Sequence, residues 1–86
     1  MSRYDNDGLT IREREILNYI IDFKTVNGFA PTISEIATTL ITSRSFVRSA
    51  LYRLEEKGFI RYKPEKMRSI VVLRPSKLQV HNNCIL

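Results

Sequence analysis

The 86-residue chain is too short to suggest a second domain, and its 43% hydrophobic content suffices for one small core, which excludes wholesale disorder and a deep enzyme cleft. One cysteine and one histidine exclude an internal disulfide and make a poor metal set, while the polar start MSRYDNDG and the lack of a long apolar run point to a soluble intracellular domain without signal peptide or membrane span. The net charge of +5 is uneven: residues 1–43 hold four Lys or Arg against six Asp or Glu, and residues 44–86 hold ten against three, which suits either a polyanionic partner or a solvated basic surface.

Residues 1–8 read as a flexible N-terminal arm. Thr10 with Glu13 three residues on forms a capping box, which predicts a helix from about Ile11. Ile16, Tyr19, Ile20 and Phe23 recur at helical spacing, with Leu17 and Ile21 widening the apolar face. Gly28 can end this helix in the left-handed conformation, and Pro31 follows. Thr32 and Glu35 repeat the capping box ahead of Ile33, Ile36, Ala37 and Leu40, a second and shorter helix. Ile41, Thr42 and Ser43 read as a tight turn, with Ser43 the N-cap of a third helix over Arg44 to Lys57 that ends at Gly58.

That third helix buries Val47, Ala50, Leu51 and Leu54. Its other face carries Ser45, Ser49 and Tyr52 flanked by Arg48 and Arg53, small polar groups and arginines that allow close approach to a nucleic-acid groove. After Gly58 the period changes to two. FIRYK and SIVVL read as strands around the turn PEKMR, a hairpin whose basic tip holds Lys63, Lys66 and Arg68. The fold class is therefore mostly α with a small β-hairpin, a winged helix-turn-helix of three helices plus wing over residues 9–74. Residues 75–86 show no sustained period and read as a tail.

The segments LTIREREILNYI, GFAPTISEIATTL and LYRLEEKGFIRYKPEKMRSIVVL together resemble the N-terminal DNA-binding domain of LexA-type repressors, from about Leu9 to Leu73. The resemblance implies a transcriptional repressor whose third helix reads bases and whose wing contacts the DNA backbone. The family usually carries a glycine just after the second helix and one more residue in that turn, where this chain has Leu40, Ile41 and Thr42. LexA proteins also cleave themselves with a serine–lysine pair held in a β-rich C-terminal domain. Nothing after Leu73 can build that domain, so neither self-cleavage nor the family's main dimer contact is expected here. The chain reads as a small stand-alone relative, of the kind mobile elements encode, or as a fragment.

The expected DNA-binding residues are Ser43, Arg44, Ser45, Phe46, Arg48, Ser49, Tyr52, Arg53, Lys63, Lys66 and Arg68. Each has a plainer reading. Arg48 is either a base or phosphate contact or a solvated arginine beside Tyr52, and Ser45 and Ser49 are either groove-facing or surface filler. Ser43 is first an N-cap, and Phe46 is a core-edge residue or a thymine-methyl contact. Lys63, Lys66 and Arg68 either clamp the backbone or guard a strand edge. Tyr19, Phe23, Phe29 and Tyr62 read as core or rim, and Glu13 and Glu35 as caps.

Catalysis finds no support, because His81 and Cys84 lie in the tail without fixed partners and three scattered glycines make no phosphate loop. No enzyme, cofactor or metal is expected. The partners expected are a double-stranded DNA operator, a second copy assembled on DNA, and a protein met through the tail, in the cytoplasm of a bacterium or of a phage host. The alternative is a winged protein–protein module that modulates another regulator, although its outer face would then be apolar or acidic.

Overall fold

The computed structural model describes residues 8–74, so the readings of residues 1–7 as an arm and of residues 75–86 as a tail, His81 and Cys84 included, lie outside the described residues. In chain order the elements are α1 (Ile11–Asn27), α2 (Ile33–Thr39), α3 (Arg44–Glu56), β1 (Ile60–Arg61) and β2 (Val71–Val72). Three helices and an antiparallel hairpin in this order are a winged helix-turn-helix.

Local chemistry sets the helix limits. The Thr10 hydroxyl accepts the Glu13 N–H at 3.1 Å while the Glu13 carboxylate accepts the Thr10 N–H at 3.0 Å, and Thr32 and Glu35 repeat the pair at 3.1 and 2.9 Å. Gly28 takes φ 82° and donates its N–H to the Lys24 carbonyl at 2.8 Å, which stops α1. At seven residues α2 cannot hold itself, and its buried Ile36 and Ala37 dock it on the other helices.

The core joins Ile16, Leu17 and Ile20 of α1, Ile36 and Ala37 of α2, and Val47, Ala50, Leu51 and Leu54 of α3 with Leu9, Ala30, Phe59, Ile60 and Ile70. Each fully buried Leu, Ile or Phe stabilises the fold by about 1.5–3 kcal/mol. The buried face of α1 is narrower than its sequence suggests, since Tyr19, Ile21 and Phe23 are half-buried.

The ends of α2 and α3 share one geometry. At α3 the Phe59 N–H reaches the Leu54 carbonyl at 3.0 Å and the Gly58 N–H reaches Glu55 at 3.0 Å, with Gly58 at φ 85°. At α2 the Thr42 N–H reaches Ala37 at 2.9 Å and the Ile41 N–H reaches Thr38 at 3.3 Å, with Ile41 at φ 55°. An isoleucine, 88% exposed, thus stands where this motif usually has glycine.

The hairpin is shorter than FIRYK and SIVVL suggest. The ladder pairs Ile60 with Val72 and Arg61 with Val71 and goes no further. Pro64 has no N–H to donate, and Arg68 adopts φ 55°, so the chain between the strands leaves the sheet as a loop. Ser69 takes the place of the next rung, its hydroxyl accepting the Lys63 N–H at 3.0 Å and donating to the Lys63 carbonyl at 2.8 Å. Beneath the wing, Lys57 donates its ammonium to the Gly8 carbonyl at 2.9 Å, and its own carbonyl accepts from Arg74 at 3.3 Å. The Arg74 guanidinium lies 3.9 Å from the centre of the buried Phe59 ring.

Candidate nucleic-acid interface

Ser43 opens α3 by accepting the Phe46 N–H on its hydroxyl at 3.0 Å. Val47, Ala50, Leu51 and Leu54 face the core, so the 3.6-residue period turns Ser45, Arg48, Ser49 and Tyr52 outward, all exposed, with Arg44 at the helix start. Phe46 is half-buried and packs against the core, with the Arg12 guanidinium 5.8 Å from its ring centre. That is the core-edge position.

Most of the exposed basic side chains fall into two sets. One set is spent inside the molecule. Arg53 donates from Nε to Glu13 at 2.8 Å and Lys57 donates to the same carboxylate at 2.7 Å, so Arg53 turns toward α1. Arg12 pairs with Glu15 at 2.7 Å and also reaches the Leu40 carbonyl at 3.1 Å. Arg68 meets Glu35 through two bonds of 3.1 Å and the Ala30 carbonyl at 3.0 Å. The second set is open. Among the described residues, Arg44, Arg48, Arg61, Lys63 and Lys66 have exposed side chains without an ion-pair or hydrogen-bond partner.

Arg48 and the wing lie close enough to share a field. Tyr62, half-buried at the wing base, has its hydroxyl pushed above the ordinary tyrosine range by burial, with the Glu65 charge adding to the rise and the Arg48 charge opposing it. A cleft of about 110 Å³ beside it is lined by Pro31, Ile33, Tyr62, Pro64 and Met67. It is too small for anything beyond a side chain or a methyl group.

Two carboxylates hold this frame. Burial works to raise Glu13, yet hydrogen bonds from Lys57, the Thr10 N–H and Arg53 outweigh it and hold the carboxyl below the usual range. Glu35 is lowered by the Thr32 N–H first and by Arg68 next. Sequence reasoning saw both as caps and missed their cationic partners, which lie more than thirty positions away. It also left out Arg61, although alternation with the buried Ile60 was the signal for an outward charge beside Lys63. Among the described residues, no group of three or more His, Cys, Asp or Glu could hold a metal ion, and no helix is long and apolar enough to cross a membrane.

Residues 6–69 match the family model of the LexA DNA binding domain. The LexA repressor of Desulforamulus reducens is 42% identical over 66 residues, covering 76% of this chain and 31% of that protein. The LexA repressor of Moorella thermoacetica is 44% identical over 61 residues, 70% of this chain and 30% of its own length. That of Staphylococcus aureus strain N315 is 42% identical over 66 residues, 76% and 32% respectively. The chain thus spans about a third of the length of the curated relatives it matches.

Proposed function

Because the chain belongs to the LexA DNA-binding domain family, we propose that it binds double-stranded DNA at specific sequences and represses transcription by occupying an operator. The observation that supports this reading is the sorting of its cations. Arg44, Arg48, Arg61, Lys63 and Lys66, exposed and without partners, sit on α3 and on the wing, while Arg12, Arg53 and Lys57 are tied to Glu15 and Glu13.

In this reading α3 enters the major groove. Ser45 and Ser49 keep the outer face low, so the backbone can approach the base edges, and Arg48 extends to guanine or to a phosphate. Arg44, Arg61, Lys63 and Lys66 meet phosphates, which fix register without reading sequence. Tyr52 borders the groove. One helix-turn-helix reads few base pairs, so two copies occupy half-sites about one helical turn apart. The site of action is the cytoplasm, where operator DNA is found.

Selection from random duplex DNA, followed by anisotropy titration of the selected and a scrambled duplex across salt concentrations, tests the reading. The expected result is a preference of at least about 10³-fold, with log affinity falling linearly against log salt. Equal affinity for both duplexes would leave a non-specific basic protein and overturn the repressor reading.

A further inference from the structure

The wing loop is fastened to α2 through Arg68. The Arg68 guanidinium uses Nη1 and Nη2 on the two Glu35 oxygens, both at 3.1 Å, and Nη1 again on the Ala30 carbonyl at 3.0 Å. Its face lies 4.7 Å from the centre of the Phe29 ring, which is itself held edge-on by Phe23 at 5.9 Å. The backbone at Arg68 is left-handed, a conformation arginine adopts at a cost and keeps where surrounding bonds demand it. Other ties of the wing are the two-rung ladder at its base, the Ser69 bridge to Lys63, and the packing of Ile70 and Tyr62 on the core. Glu35 is the third residue of α2, so this clasp joins the wing loop to the first helix of the helix-turn-helix.

We propose that Arg68 is a positioning residue for DNA binding: it locks the wing against α2 and so sets where Lys63 and Lys66 meet the duplex, without touching DNA itself. The proposal rests on the DNA-binding reading above. Three of the five guanidinium N–H donors of Arg68 are taken by the Glu35 carboxylate and the Ala30 carbonyl. A phosphate would find only Nε and one Nη2 hydrogen, beside a carboxylate whose charge repels it. Lys63 and Lys66, free on the same loop, have no such competitor. The apparent affinity then scales with the fraction of molecules whose wing is docked.

The two roles predict opposite signs for one substitution. Glu35→Gln keeps an oxygen to cap the Thr32 N–H but removes the charge that holds Arg68. If Arg68 positions the wing, Glu35→Gln and Arg68→Gln each weaken DNA binding about three- to tenfold, and the double variant is no weaker than the poorer single. Lys66→Ala, costly in the parent, then costs less in the Arg68→Gln background. If Arg68 contacts phosphate, Glu35→Gln frees a cation, removes a negative charge and tightens binding.

Amide exchange of residues 65–69 in the DNA-free protein supplies an independent readout and should quicken in both single variants, with thermal melting confirming that each is folded. A parent that binds no duplex overturns the DNA-binding reading and this proposal together. A parent that binds, with Glu35→Gln binding more tightly, overturns this proposal alone, as does unchanged wing exchange in both variants.

Discussion

Glu13 stays ionised at 1% exposure because every demand of a buried carboxylate is met: the Thr10 N–H caps it, and Arg53 and Lys57 neutralise it. Its lowered pKa stabilises the fold fully above the ordinary glutamate value, and this contribution disappears as pH falls through the lowered one. Glu13→Gln is expected to cost about 1–3 kcal/mol near neutral pH, judged from charge-assisted bonds of this kind. The gap between parent and variant in urea melts should close on acidification. A gap constant with pH would mean that shape, not charge, holds this position. Arg48 is the opposite case, a charge the fold leaves unused. Arg48→Ala should leave the melting temperature unchanged but lose about 1–3 kcal/mol of specific binding and relax preference at one base pair. Competition titrations against single-base variants of the selected duplex measure both.

The last turns of α2 and α3 close with the same pair of backbone bonds, yet one uses Gly58 and the other Ile41. A left-handed residue other than glycine costs about 1–2 kcal/mol, while glycine gives back about 0.5–1 kcal/mol through unfolded-state entropy. Ile41 is 88% exposed and contributes little burial. Ile41→Gly should therefore stabilise the protein by about 0.5–1 kcal/mol, a rise of roughly 2–8 °C in melting temperature. A lower melting temperature would show that the Ile41 side chain has an unseen partner. The helices were legible in the sequence because N-caps, an apolar period and, for α1 and α3, a terminal glycine act within four or five residues. The missing glycine after the second helix was legible too, and the chain meets it by forcing Ile41 into the glycine conformation. The wing was legible as a hairpin but not in its extent, since Pro64 and the left-handed Arg68 break the ladder that β-branched residues alone would suggest. Arg53 and Arg68 read as free cations because their partners, Glu13 and Glu35, are brought to them by the packing of α1 and α2 and not by any local pattern.

Across the whole molecule, the lopsided charge becomes a division between internal ties and an open surface. Formal charge overstates the surface field, because Arg53, Lys57 and Arg68 are already paired with carboxylates. Replacing Lys63 and Lys66 together by alanine should flatten the plot of log affinity against log salt by about 0.9 for each phosphate left unneutralised, with sequence preference intact. Arg53→Ala should leave that slope alone and lower the melting temperature instead. A slope indifferent to Lys63 and Lys66 would assign the wing to guarding its strand edge. Lys57 carries a further consequence for architecture. Its ammonium holds the Gly8 carbonyl and its own carbonyl receives Arg74, so the segment before α1 and the segment after β2 meet around one residue. Lys57 is thus a clip at the end of α3, and its loss should loosen the entry into α1 and the exit from β2 together, seen as faster amide exchange at both.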